Sequence, residues 1–127
     1  MRLLIVTERH HRSYREVLVY VLAAVRPRLE VESAAPEEFE VRLQRFDPHV
    51  VLCGLEDCAR REGPIAWVDL AYDDSRTIRR PEQAWVAGRN HELPNTTLED
   101  LLWVLEEAEA ALASGSGARL GRRTGQA

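Results

Sequence analysis

The chain begins with a continuous apolar stretch that is followed at once by a helical pattern. The stretch is Arg2–Glu8, RLLIVTE, and it turns polar only at its end. Such a run is typical of a central strand that is covered on both faces. From Ser13 to Val25 a helix is predicted, with Pro27 as its stop signal. Its one wide apolar face is made of Tyr14, Val17, Leu18, Val21, Leu22 and Val25.

A second strand and helix follow directly. The segment Arg28–Ala34, RLEVESA, alternates apolar and charged residues, as a strand near a sheet edge does. Pro36 is well suited to a helical first turn, and Phe39, Leu43 and Phe46 then supply an apolar stripe. The chain therefore repeats its strand-then-helix unit.

Three further strands and a terminal helix are predicted downstream. The strands are HVVLCGL, PIAWVDLAY and AWVAG. Between the last two, Pro81 leaves room only for a stunted helix. The segment NTTLEDLLWVLEEAEAALA predicts a final helix capped by Asn95 or Thr96. Its apolar face is expected to contain Leu98, Leu101, Leu102, Leu105 and Leu112.

Strands that alternate with helices predict an α/β fold with a parallel sheet, because parallel strands need crossover connections. Five strands suit the flavodoxin-like order 2-1-3-4-5, as a three-layer sandwich with a shortened fourth helix. A chain of 127 residues is long enough for one core. We predict one domain over residues 1–113. Residues 114–127 hold four of the seven glycines and predict a disordered, basic tail.

Composition disfavours several classes of function. All 17 basic residues are arginine, so mechanisms that need a lysine, such as a P-loop clamp or a Schiff base, are excluded. Residues 1–113 carry 14 arginines against 21 acids, a net charge of −7, which makes a nucleic-acid-binding body unlikely. No apolar run approaches the roughly 20 residues that cross a bilayer, and a cytoplasmic location is predicted.

The cysteines and histidines give no metal-binding pattern. Cys53 and Cys58 fit no CxxC motif, and we expect two reduced thiols. The four histidines lack a ligand spacing such as HxxxH. We therefore predict no metal site and no cofactor.

Polar residues at the carboxyl ends of the predicted strands mark a candidate ligand pocket, because ligands of open α/β sheets collect there. The pocket candidates are Glu8, Arg9, Gly54 and Asp69. The charged members could hold a small polar ligand or form a structural ion pair. A catalytic cluster of Glu8, His10 and Asp69 can be drawn, but no nucleophile with a nearby base is indicated. We predict no catalytic residue.

The chain resembles the receiver domain of two-component response regulators over nearly all of residues 1–113. The stretches that carry the resemblance are LLIVTE, DPHVVLCG, GPIAWVDLA and LPNTTLEDLLWVLEEAE. The family's phosphorylated aspartate matches Gly54, and its acidic pair matches Thr7 and Glu8. The switch threonine or serine matches Asp69, and the lysine falls near Leu93. The resemblance thus implies a degenerate, phosphorylation-independent receiver, which acts as a protein-interaction module or senses a small ligand.

Two tryptophans are candidate interface residues. On a helical wheel Trp103 lies among Glu99, Glu106 and Glu107, away from the leucine side. Receiver-like domains use the face around the last helix for dimerisation, so the resemblance implies an interface at Trp103 and Trp85. Alternatively, Trp103 covers a neighbouring element or an edge of the sheet.

Three functions remain open at this point. The preferred one is a regulatory domain that binds a protein partner, or itself as a homodimer, through the last helix. A small-ligand-binding domain that uses the strand-end pocket is the alternative, and an enzyme of unknown type is the third. Val19 and Ala23 leave the outer side of the first helix rather apolar, which indicates a second contact surface.

Overall fold

A computed structural model describes residues 1–55, 59–70, 82–93 and 97–115. Six strands and three helices lie in these ranges, and single 3₁₀ turns precede the first two helices, at Arg9–His11 and Pro36–Glu38. In chain order they are β1 (Arg2–Thr7), α1 (Arg12–Val25), β2 (Glu30–Ala34), α2 (Phe39–Phe46), β3 (Val50–Gly54), β4 (Ala66–Asp69), β5 (Glu82–Val86), β6 (Arg89–Leu93) and α3 (Leu98–Gly115).

The strands form one mixed sheet in the order β2-β1-β3-β4-β5-β6. The first four are parallel, while β5 pairs antiparallel with β4 and β6 antiparallel with β5. The predicted α/β class is therefore confirmed. The prediction of a five-stranded, all-parallel sheet is wrong, because β5 is reversed and a sixth strand follows it. The predicted short fourth helix lies outside the described residues.

A two-residue turn explains the extra strand. Ala87 and Gly88 both have positive φ, 49° and 86°, which is the requirement of the type I′ turn that closes tight hairpins. The turn pairs Val86 with Arg89 and makes β6 from RNHEL. Alanine rarely takes positive φ, so "AG" is a much weaker hairpin signal than Asn-Gly. The sequence pattern therefore showed one strand where the chain makes two.

The sheet is buried on both faces by unequal layers. On one face α1 and α3 cover it, and this larger cluster contains Leu3, Ile5, Leu18, Leu22, Val50, Leu52, Val68, Leu101, Val104 and Leu105, among others. On the other face α2 packs on a smaller cluster that contains Leu4, Val6, Phe39, Val51, Cys53 and Trp67. Successive residues of β1 point into alternate clusters, which is why its sequence is apolar throughout.

The last helix differs in detail from its prediction. Its cap is Thr97, whose Oγ1 accepts a hydrogen bond from the Asp100 N–H at 3.2 Å, while the Asp100 carboxylate accepts one from the Thr97 N–H at 3.1 Å. This reciprocal pair satisfies two N-terminal donors. The buried side consists of Leu101, Val104, Leu105 and Ala108, whereas Leu98, assigned to the apolar face, is exposed. The helix ends at Gly115, two residues past the predicted domain boundary.

The positive φ of Ala87 in the hairpin turn predicts the direction in which a glycine there changes the free energy of unfolding. Replacing Ala87 by glycine removes the steric cost of positive φ, about 1–2 kcal/mol, against an added chain entropy of about 0.4–1 kcal/mol. Ala87→Gly should therefore raise the free energy of unfolding in urea by up to about 1 kcal/mol. Ala113→Gly, at an exposed position of α3, should lower the free energy of unfolding by about 0.5–1 kcal/mol. Equal losses in both variants would contradict the turn assignment.

Candidate functional site

The predicted pocket residues lie at one edge of the sheet, where β1, β3 and β4 end. Thr7 is in register with Gly54, and Asp69 with Cys53. Thr7 and Gly54 are buried, while Asp69 is half-buried and shares a sheet face with Trp67. The carboxyl ends of the parallel strands therefore bring these residues to one edge, as predicted.

Arg9 does not join the predicted charged group at this edge. Its Nη2 lies 2.8 Å from the Glu37 carboxylate, which belongs to the turn before α2. Both side chains are mostly exposed, and an ion pair of that kind contributes little to stability. The structural ion pair expected among Glu8, Arg9 and Asp69 is thus replaced, at Arg9, by a pair with another element. Glu8 is half-buried just after β1.

Cys53 changes the chemistry expected at this edge. Its side chain is buried against the α2 face of the sheet, and it is disulfide-bonded. The expectation of a reduced thiol at Cys53 is therefore wrong. Cys58, the other cysteine, lies outside the described residues. Spacing alone did not indicate the bond, because disulfide geometry depends on Cα separation and Cβ direction, which a motif search does not see.

No group of three or more His, Cys, Asp or Glu side chains in the described part of the chain is placed to hold a metal ion. None of the helices in those ranges combines the length and the apolar character that a bilayer span requires.

A cavity of about 460 Å³ lies at the opposite edge of the sheet, between the end of α1 and the middle of α3. Met1, Leu29 and Leu105 give it apolar walls. Arg26 also lines it, but its guanidinium already pairs with Glu109 at 2.9 Å and Glu106 at 3.4 Å. The charged wall of this cavity is thus used to join α1 to α3.

His49 is a structural group at this same edge. Its Nδ1 accepts a hydrogen bond from the Arg2 backbone N–H at 3.0 Å, which requires the neutral imidazole. Burial, and secondarily the positive charge of Arg2, lowers the pKa of His49 from its ordinary value of 6.5. His49 therefore fixes the start of β3 against the start of β1 and is not directed at the predicted pocket.

The two predicted interface tryptophans are partly covered. Trp103 is 36% exposed, and its ring stands edge-on to His91 of β6 at a centroid distance of 5.1 Å. Trp85 is half-buried opposite Trp67, and the Arg60 guanidinium carbon lies 3.9 Å from its ring centroid. The Trp103 ring thus contacts the edge strand and keeps part of its surface accessible, and its place in an interface stays a prediction.

The largest departure from expectation is an exposed apolar surface on α1. We define the α1 outer face as Tyr14, Val17, Tyr20, Val21, Ala24 and Val25, of which Val21 is half-buried and the other five are exposed. Tyr20 is 76% exposed and Val17 58%, and Tyr14 and Val25 are exposed as well. Only Leu18 and Leu22 of this helix are fully buried, with Val19 packed partly against the same cluster. Val19, expected on the outer side, thus faces the core.

The sequence did carry a signal for the α1 outer face. On a helical wheel, with 100° between successive residues, the apolar positions of α1 cover a wide arc that runs from Leu22 to Tyr20. This arc is wider than the part of a helix that one face of a sheet can cover. The predicted single apolar face of α1 therefore combined two separate surfaces. One is buried in the fold and the other is open.

Comparison of the chain with protein-family models, with curated proteins and with solved structures found no match.

Gly54 generates the first prediction for this site. A glycine at the end of β3 has no side-chain oxygen that could accept a phosphoryl group, and the chain has no lysine to contact one. Incubation with acetyl phosphate and Mg²⁺ should leave the intact mass unchanged, with a phosphoaccepting receiver domain as the positive control. A gain of one phosphoryl mass would contradict it.

His49 generates a second prediction, on pH. The unfolded chain takes up the His49 proton near pH 6.5, whereas the folded chain takes it up only at lower pH. The His49 contribution is therefore complete above about pH 6.5 and is lost as pH falls through that value toward the folded pKa. Urea unfolding at about pH 7.5 and 5.5 should show lower stability at 5.5. The difference should shrink in His49→Asn and persist in His10→Asn, and an unchanged difference in His49→Asn would contradict this assignment.

Proposed function

We propose that this chain is a regulatory α/β domain of the phosphorylation-independent, receiver-like kind, and that it acts through protein–protein contact. The observation that carries the proposal is the α1 outer face. A contiguous set of apolar side chains on one exposed helix, two of them tyrosines, is typical of a contact surface.

Leaving such an apolar surface in contact with water is unfavourable. Burying a valine or an aromatic side chain fully is worth roughly 1.5–3 kcal/mol. Tyr20 and Val17 keep more than half of their surface exposed, so a partner that covers them gains a large part of that amount. The gain is available only on association, because the side of α1 that meets the sheet is already filled by Leu18 and Leu22.

The arrangement of the sheet supports the regulatory assignment only at its parallel half. The order β2-β1-β3-β4 and the placement of α1 and α2 on opposite faces agree with a receiver-like domain. The reversed β5 departs from that pattern. The ligand-binding alternative has less support, since Arg9, the cation of its predicted pocket, pairs with Glu37.

A residue-specific crosslink tests the proposal. The photoreactive amino acid p-benzoylphenylalanine at Tyr20 should, on irradiation of cells of the encoding organism, give one discrete protein adduct. The same amino acid at Glu107, exposed on α3, serves as the control and should not give that adduct. Equal labelling from both positions, or no adduct from Tyr20, would contradict a contact surface on α1.

A further inference from the structure

We infer that the partner of the α1 outer face is a second copy of this chain, bound as a two-fold dimer in which the two α1 helices pack antiparallel. The inference rests on the proposed function and names its partner. The two-fold axis passes at the level of the helix midway between Val17 and Val21.

The spacing of the α1 outer face is that of a helix-pairing seam. We call four of its residues, which follow one another at steps of three, four and three, the seam: Tyr14, Val17, Val21 and Ala24. These steps are the repeat by which two helices interdigitate at a small crossing angle. Tyr20 and Val25 flank the seam on its two sides. A helix is therefore the element that fits this surface, and α1 itself supplies one.

The sizes along the seam fit an antiparallel pair. With the axis between Val17 and Val21, Val17 of one copy lies opposite Val21 of the other. The same axis sets Tyr14, the largest residue of the seam, opposite Ala24, the smallest. A parallel pair would instead stack Tyr14 on Tyr14 and leave a gap between two alanines. Large-against-small pairing fills space at close helix approach.

Charge on α1 also favours a second copy over a charged partner. The α1 outer face contains no charged residue. Beside it, Arg12 and Glu16 form a pair within the chain, 2.9 Å apart. A strongly acidic or basic partner would find no counter-charge on the seam. The identical seam of a second copy is also uncharged, so the two surfaces can pack without leaving a charge unpaired.

The exposed area indicates a weak, reversible dimer. Taking about 200 Å² for a fully exposed tyrosine and about half that for a valine, the four large exposed residues offer about 350 Å² of side-chain surface per copy. Two copies would bury about 700 Å², and at an apolar share of about 60% the whole interface reaches roughly 1,200 Å². That is the lower limit of stable specific interfaces.

Sedimentation velocity of the full chain over a concentration series tests the dimer. The wild type should pass from monomer to dimer as concentration rises. Val17→Glu should raise the dissociation constant at least tenfold, because each dimer contains the substitution twice. Val41→Glu is the matched control, since Val41 is a similarly exposed valine on α2, and it should dimerise as the wild type does.

A second variant and a map of the contact complete the test. Tyr20→Ser should also weaken the dimer, and circular dichroism checks that both variants stay folded. With p-benzoylphenylalanine at Tyr14, the crosslinked dimer should join residue 14 of one copy to the tryptic peptide Glu16–Arg28 of the other, since trypsin does not cut the Arg26–Pro27 bond. Joining residue 14 to the peptide Ser13–Arg15 of the other copy would overturn the antiparallel arrangement.

The outcomes separate the two proposals. A chain that stays monomeric at every concentration, or a dimer that Val17→Glu leaves intact, overturns the homodimer. If Tyr20 nevertheless crosslinks in cells to a different protein, the contact function stands and its partner is not a second copy. If the purified chain is monomeric and Tyr20 gives no adduct, both proposals fail.

Discussion

The structure depends on the double burial of β1. This strand is paired on both sides, with β2 and with β3, and its residues Leu3–Thr7 are shielded from solvent on both faces. Because its side chains enter both clusters alternately, α1 and α2 must lie on opposite faces for the strand to be covered at all. Because the first four strands are parallel, their crossover helices cover both faces and their carboxyl ends meet at one edge of the sheet.

The sequence predicted the parallel half well because its signals are large. Continuous apolar runs define β1 and β3, and periodicity with a proline stop defines α1. The antiparallel half was missed because its one decisive signal is a backbone conformation: Ala87 at positive φ, which residue type does not reveal. The polar sequence of β6 also resembled a loop, since an edge strand need bury only one side of its residues.

The candidate pocket and the α1 outer face illustrate the same limit. Strand ends predicted which residues meet at the carboxyl edge, but side-chain reach decided that Arg9 pairs with Glu37. For α1, composition predicted an apolar helix, but the width of the sheet beneath it decided which apolar residues stay open. In both cases the missing information was the neighbour in space. Residue type determines which contacts a side chain favours, whereas the fold determines which neighbours it has.

The pairing pattern of the sheet has a consequence for synthesis on the ribosome. The first of the described strands to be made, β1, gains its second hydrogen-bonded neighbour only after residue 50 has been made, so its apolar side chains stay uncovered while both crossovers are synthesised. By contrast, β5 and β6 are separated by two residues and can form their hairpin as soon as both have been synthesised. Among the strands described, the one most in need of protection during translation is thus β1, for which chaperone capture has the longest window.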